Sequence, residues 1–472
     1  MVTGMLSPQK LASQSRALTA AMAHVLWQAL AERRPADRVL AAYLRTQRQF
    51  GSRDRRLISE MTYAACRWWG WLATLAPEPF RDALETAAAP CPPTSIPAAA
   101  WQPFFLAVLL TEGLDYPDML RFWTEACGLR NAGGAEGNGR EPEARSQKSE
   151  ARMGEDAAAR AALALRLLQG GNSGGRLDPC GLIPAWAPER IACPRPLPEL
   201  IAWLQKRPPL WIRLQRGDPA QTAVELTAAG LPPRPHAHLP QAWRLDNARV
   251  NLYTLPAYRE GRIEVQDLAS QCIGAVCAPR PGQRWWDACA GAGGKSLLLS
   301  QLMEGRGTVI ASDIREYKLE DLRRRARRSG FSNITPRAWD GKPLAPRKAN
   351  YDGVLADGPC SCSGTWRRNP AARWSLNAAE LPELAALQLR ILRSAASGVR
   401  SGGVLVYATC SFFELENGGV VREFLRAAPG FVLETFPHPL TGAATEGMLQ
   451  IWPWDGDCDA MFVARFRRKA AG

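Results

Sequence analysis

The chain has 472 residues, 46% of them hydrophobic, with 59 Lys and Arg against 45 Asp and Glu and a net charge of +14. That length suggests about three domains at ~150 residues each, and the basic balance points to a polyanion such as nucleic acid. No run of about 18 apolar residues is present to span a membrane. Twelve cysteines include no C-x-x-C pair, and the only four histidines are His24, His236, His238 and His438. Zinc-site spacing is therefore absent, no metal is expected, and a hydrolase built on a Ser-His or Cys-His pair is disfavoured. The N-terminal stretch lacks a basic start followed by an apolar segment, so no signal peptide is read and a cytoplasmic location is expected. Disulfides are then not expected, and most cysteines read as small buried hydrophobes.

Residues 10–128 place apolar residues at spacings of three and four, as in "ALTAAMAHVLWQALAERRPADRVLAAYLRTQ" and "GSRDRRLISEMTYAACRWWGWLATL". They predict a helical domain over 1–130. Residues 131–156, "NAGGAEGNGREPEARSQKSEARMGED", are Gly-rich and polar and read as a flexible linker or insert. A helix is predicted over 157–169. The texture then becomes mixed: "PPLWIRLQ" reads as a strand, "DPAQTAVELTAAG" as a capped helix closed by Gly230, and "EVQDLAS" as entry into another element. The stretch 157–265 is read as one small connector region. From 283 onward strands alternate with helices: "QRWWDACAG", "KSLLLSQLM", "GTVIASD", "REYKLEDLRRRARRSG", "YDGVLADGP", "AELPELAALQLRILRSAASGV" and "GGVLVYATC", with "DAMFVARFRR" as a last strand. This alternation predicts an α/β domain over 266–472, a parallel sheet with helices on both faces.

"WWDACAGAGGKSLLLSQL" is a strand, a Gly-rich turn and a helix. Gly291, Gly293 and Gly294 would let a ligand approach the backbone at the helix N-terminus. The turn is not a P-loop, because position 289 is Cys, and it fails G-x-G-x-x-G at Ser296. Asp313 ends the next strand, where doubly wound folds bind ribose hydroxyls, although an N-cap role is equally available to it. Turn plus acid indicates a nucleoside-containing cofactor and leaves NAD and S-adenosylmethionine both open. Cys360, in "ADGPCSCSGTWRRNP", and Cys410, in "VYATCS", each follow a strand of the predicted sheet. Strand C-termini in open α/β sheets are where ligands bind, so both thiols and Asp357 converge beside the cofactor. Thiolates attack electron-poor carbons. The C6 atom of a pyrimidine suits such attack, and addition there makes C5 nucleophilic enough to take a methyl group.

Four segments in order, "VQDLASQ", "DACAGAGGKS", "DGPCSCSGTWRRNP" and "GGVLVYATCSFFELENGGVV", resemble the motifs of the RsmB/NSUN (Nop2/Sun) RNA 5-methylcytosine methyltransferases. The trace "FGSRDRRLISEMTYAACRW" resembles the NusB-like helical domain of the bacterial small-subunit enzyme, and residues 183–265 its partly RRM-like middle region. The resemblance implies a Rossmann-like methyltransferase domain using S-adenosylmethionine, and RNA, most simply 16S ribosomal RNA, as partner. It implies Cys410 as nucleophile, Cys360 as the thiol that assists release, and Asp357 at the cytosine edge or the cofactor. It assigns cofactor binding to Cys289, Ala290, Gly291, Ala292, Gly293, Gly294, Lys295, Asp313, Asp340 and Asp357. A monomer is expected. Two departures stand out: the family's A-P-G-G is Gly291-Ala292-Gly293-Gly294, and its Gly after P-C-S is Cys362, which reads as a small space-filler. Arg367, Arg368 and Arg373 are placed to reach phosphates, "KLEDLRRRARR" reads as a solvated helix face, and the seventeen tryptophans read as core. A transfer-RNA methylase and a non-catalytic RNA-binding assembly factor remain as alternatives. A DNA cytosine methylase is the weaker one, since it would not need the T-C-S cysteine.

Overall fold

The computed structural model describes residues 8–86, 96–129, 150–169, 177–246, 250–345 and 350–470. The chain divides into two compact units. One comprises Met1–Pro188, Arg195–Lys206 and Asn369–Leu376; the other comprises Glu189–Pro194, Arg207–Arg368 and Asn377–Gly472.

The first unit is helical. Its central helix, Ala98–Glu112, is apolar on all sides and buries Trp101, Phe104, Phe105, Leu106 and Val108. A helix apolar all round belongs inside a core. Around it lie Pro8–Leu26, Ser52–Leu72, Pro117–Ala126 and Glu150–Gln169, with Ala36–Thr46 packed on the first of these. The helix predicted over 157–169 begins at Glu150, so the end of the predicted linker is helical; residues 131–149 of that linker lie outside the described residues. The segment Asn369–Leu376 belongs to this unit although it follows the Cys360 motif in sequence. Arg373 is fully buried there and donates to the carbonyls of Leu182 (2.9 Å) and Leu204 (3.3 Å). Trp374 Nε1 donates to Cys66 O at 2.6 Å. Arg373 is thus an internal anchor, not the phosphate contact expected of it.

The second unit holds two sheets. Strands β1 (Leu210–Leu214), β2 (Pro233–Pro235), β3 (Ala242–Leu245) and β4 (Ile263–Val265) form an antiparallel sheet of order β2-β3-β1-β4. The helix Pro219–Ala228 follows β1, capped by Asp218 and closed near Gly230 (φ +79°) as the sequence predicts. Ile212, Leu226, Leu231, Trp243 and Ile263 form the core of this layer.

The larger sheet has β5 (Arg284–Asp287), β6 (Thr308–Asp313), β7 (Ile334–Ala338), β8 (Tyr351–Asp357), β9 (Val399–Thr409), β10 (Phe431–Leu433), β11 (Met448–Ile451) and β12 (Met461–Arg468). Its order is β10-β12-β9-β8-β5-β6-β7, with β11 on β12. β5 through β9 pair in parallel, but β12 runs antiparallel to β9, β10 and β11, so the expected parallel sheet is a mixed one. Alternate residues feed two cores, as the two-residue period of a strand requires. Trp285, Leu355, Val404 and Val406 face the helices Leu268–Cys277, Gly294–Leu302 and Glu316–Ser329. Trp286, Val354, Leu405 and Tyr407 face Glu380–Ala396 and Gly418–Ala427. From β5 the chain runs outward through β6 and β7, then returns to place β8 on the other side of β5. This reversal makes a crevice at the C-terminal ends of β5 and β8, where open α/β sheets bind ligands.

Candidate active site

The Gly-rich turn leaves β5 at Asp287 and enters the helix Gly294–Leu302 with Gly293 as its N-cap, at φ +86°. A Cβ on Gly293 would lie 2.6 Å from Leu322 Cγ, so glycine is needed for both backbone angle and space. The turn is tied down at both ends: Ala288 N donates to Leu355 O (2.8 Å), and Ala290 N to Ser312 O (2.7 Å). Arg325 Nη1 donates to Ala292 O at 2.8 Å. Asp313 accepts from Gly291 N (3.0 Å), Arg315 N (2.9 Å) and the Arg315 guanidinium. Burial works to raise the Asp313 carboxyl, but the Arg315 hydrogen bonds outweigh it and hold it below the usual range. The loop without proline is therefore braced by Asp313 on one side and Arg325 on the other.

A cleft of ≈ 340 Å³ opens at this point, lined by Cys289, Ala290, Gly294, Lys295 and Asp357 together with Gln266, Asp267, Asp287, Arg325, Arg368 and Asp459. Lys295 Nζ donates to Asp357 Oδ2 at 2.6 Å. Burial acts to lower Lys295, yet the charge and hydrogen bond of Asp357 prevail and hold the ammonium above its usual range. Asp287 is buried beside them and accepts from Ser296 Oγ at 2.6 Å; burial pushes its carboxyl up to about 7. Asp340 does not join this cleft. It sits on the loop after β7, pairs with Lys342 Nζ at 2.8 Å, and lines a second cavity of ≈ 610 Å³ with Ile314, Trp286 and Trp339.

Arg368 and Arg367 are engaged internally, against expectation. Arg368 bridges Asp267 (2.8 Å) and Asp459 (3.0 Å). Arg367 is buried and pairs with Asp457. The carboxylates thus hold Arg367 inside and orient Arg368, whose side chain stays partly exposed. Part of the "solvated" Arg-rich helix is likewise committed, since Arg325 and Arg328 both reach the buried Glu264.

The two expected thiols meet because β8 and β9 are parallel neighbours with Asp357 opposite Ala408. Cys360 follows three residues after Asp357, and Cys410 two after Ala408, so both loops leave the same sheet edge together. Their Sγ atoms are 3.3 Å apart. Beneath them Glu416, fully buried, joins the loops: Oε1 accepts from Ser361 N (2.8 Å) and Gln388 Nε2 (2.8 Å), and Oε2 from Ser411 Oγ (2.6 Å). Gln388 Nε2 also donates to Pro359 O (2.9 Å), and Asn417 Nδ2 to Ser411 O (2.9 Å). Glu416, Gln388 and Asn417 were not singled out in the sequence, although "FFELEN" carries two of them. The signal for Glu416 and Asn417 was their place in the motif segment "GGVLVYATCSFFELENGGVV", seven residues or fewer after Cys410; Gln388 had none.

Cys362 is the surprise. It is exposed, at φ +55°, and its Sγ lies with those of Cys360 and Cys410, all three within 4.8 Å of one another. It is no space-filler. Hydrogen bonds from Cys360, then from Cys410, hold Cys362 well below the usual thiol range. Cys360 is raised by its bond to Cys362, then by that to Cys410 and by burial. Cys410 is lowered by Cys360, but Cys362 and burial outweigh this and raise it. By contrast Cys66, Cys272, Cys277 and Cys458 are buried as expected.

A Gly-rich turn at the switch point and thiols at the ends of the next two strands give the second unit a Rossmann-like architecture with a ligand crevice. The family model described as "16S rRNA methyltransferase RsmB/F" matches residues 275–467. Ribosomal RNA small subunit methyltransferase B of Escherichia coli is 32% identical over 299 residues, 62% of this chain and 68% of that protein. The probable ribosomal RNA small subunit methyltransferase B of Synechocystis is 32% identical over 279 residues, 57% of this chain and 62% of that protein. The chain belongs to the RsmB/F family of S-adenosylmethionine-dependent RNA methyltransferases. Solved structures share the fold: PH0851 covers 98% of this chain and 100% of its own at TM-score 0.71 and 22% identity. NSun6 from Pyrococcus horikoshii, solved with SFG, covers 58% of this chain and 94% of its own at TM-score 0.51 and 19% identity.

Proposed function

We propose that this protein methylates cytosine C5 in 16S ribosomal RNA, in the cytoplasm, through a covalent cysteine adduct. The 3.3 Å approach of Cys360 and Cys410 at adjacent strand ends carries the proposal. Cys410, as thiolate, forms a bond to C6 and leaves C5 nucleophilic. Once C5 has taken the methyl group, its proton must leave and the S–C6 bond must break; Cys360 assists that release. Splitting one hard step in two in this way requires a distinct group for each. Cys360 lowers the Cys410 thiol, Cys362 and burial outweigh this and raise it, and Lys295, within electrostatic reach of it, offsets part of that rise; Asp357 fixes the ammonium and, in this reading, would meet the cytosine edge.

The turn Cys289, Ala290, Gly291, Ala292, Gly293, Gly294 and Lys295, with Asp313 and Asp357, would hold S-adenosylmethionine, and Asp340 its adenine side. The cleft volume and the Gly293 cradle fit such a group, which when bound supplies an electrophilic methyl. Residues 1–130 are proposed as a NusB-like domain that positions RNA, the stretch before Glu150 as a linker, and 266–472, apart from Asn369–Leu376, as the catalytic domain. Within 157–265 an RRM-like module is supported by the order β4-β1-β3-β2, with a helix after β1 and a short one, Pro256–Arg259, after β3.

The test uses 16S RNA and tritiated cofactor. Cys410→Ala should transfer no methyl and form no adduct. Cys360→Ala should stall as a protein–RNA species that survives denaturing gels and depends on both cofactor and Cys410. An adduct in Cys410→Ala with none in Cys360→Ala would reverse the two roles.

A further inference from the structure

Local spacing gives no hint of a metal site, yet the fold assembles three thiols from two loops. Cys360 and Cys362 come from the end of β8, and Cys410 from the end of β9, fifty residues on. Their Sγ atoms lie within 4.8 Å of one another, and the closest pair is at 3.3 Å. A tetrahedral zinc with Zn–S bonds of ~2.3 Å sets its sulfurs about 3.8 Å apart. Sub-ångström shifts therefore bring the three into register around one ion. Cys362 is the feature that makes this possible. It holds a left-handed backbone, φ +55°, which strains any side chain and which glycine adopts freely. It is also exposed, which gives an ion a way in. The thiol donor set excludes Ca²⁺ and Mg²⁺, which take oxygen ligands, and selects a soft or borderline cation.

We propose that Cys360, Cys362 and Cys410 together bind one Zn²⁺ ion with a fourth position open to solvent, and that the bound ion ties up the two thiols used in methyl transfer. On binding, three Zn–S bonds form, up to three thiol protons pass to solvent, and no electron moves. The binding part stands apart from the methyl-transfer proposal; the inhibition part rests on it.

Cd²⁺ serves as the probe, because its thiolate complexes absorb in the near ultraviolet with an intensity that counts the sulfurs. The reduced full-length protein should bind one Cd²⁺ with the absorbance of three thiolates, and Zn²⁺ should displace it. Cys362→Gly suits the left-handed backbone and should fold, as thermal unfolding will check; Cys362→Ser provides a second variant that keeps the side-chain volume. In both, the absorbance per metal should fall by one third. Affinity should drop by more than about 10–100-fold, the usual loss for an outer-shell partner alone. The Zn²⁺ concentration that halves methyl transfer, taken against each variant's own metal-free rate, should rise by a similar factor. Absence of the one-to-one band in wild type, or equal intensity and affinity in both variants, would overturn the site. Binding without inhibition would overturn the blocking role.

Discussion

Glu416 has no solvent contact, and its carboxylate receives Ser361 N, Gln388 Nε2 and Ser411 Oγ, one loop of which bears Cys360 and the other Cys410. Glu416→Gln keeps the shape but forces an NH₂ group against one of these donors. A shift of about 1 Å at the thiols costs on the order of 10²-fold in rate. The expected outcome is a kcat lowered by roughly 10–100-fold with cofactor affinity little changed; parallel losses in both would mean that the glutamate only stabilises the fold. Asp287 gives a pH-dependent counterpart. Its carboxyl is raised to about 7 by burial, against about 3.9 unfolded, so the folded state binds the extra proton in between. Its stabilising contribution is full below about pH 4 and lost as pH rises through about 7. Asp287→Asn, which can still accept from Ser296, should gain stability over wild type progressively across that window. A melting-temperature difference that stays flat with pH would rule this out. At this scale the cysteines were legible because the motifs name them. The hub's role was not, although Glu416 lies in the same motif as Cys410, because a buried glutamate looks like a surface one until its partners are in place.

The turn between β5 and the helix Gly294–Leu302 separates two glycines that look alike in sequence. Gly291, at φ +53°, has nothing within 4 Å of a built Cβ, whereas Gly293, at φ +86°, has Leu322 Cγ at 2.6 Å. Gly291→Ala should therefore cost about 1 kcal/mol, from backbone strain alone. Gly293→Ala should cost about 2–4 kcal/mol, strain plus overpacking against a buried leucine. Urea unfolding measures both, and equal losses would refute the distinction. The order of strands and helices in this half was readable from hydrophobic runs and turn residues. The direction of β12 was not, because a strand's apolar pattern is the same in either sense; only its pairing with β9 shows that it runs backwards. Arg325 and Arg328 of Glu316–Ser329 were misread for a related reason: their partner Glu264 lies more than fifty residues upstream, beyond any helical repeat, whereas Arg324 and Arg327 are exposed as expected.

Basic composition and texture suggested domains as consecutive stretches, but compactness does not follow chain order here. Asn369–Leu376, deep in the catalytic half of the sequence, is part of the helical unit. Arg373 shows how firmly: burial lowers its guanidinium to about 9, and carbonyls of Leu182 and Leu204 are the acceptors it reaches. Arg373→Ala removes that anchor and leaves buried carbonyls short of donors, at about 1–3 kcal/mol for each group left unsatisfied. The helical unit's thermal transition should fall, and a two-transition melt should move at one transition only. A uniform shift of both would show that the segment stabilises the whole chain alike. No helix among the described residues is long and apolar enough to cross a membrane.

The same discontinuity bears on how the protein is made. The body of the helical unit ends at Pro188, but its last piece is Asn369–Leu376. A ribosome adding about 5–20 residues per second reaches that piece roughly 10–40 s later. Until then the nascent helices present an unfilled slot where Arg373 and Trp374 belong, and chaperone contact or proteolysis during translation should concentrate there.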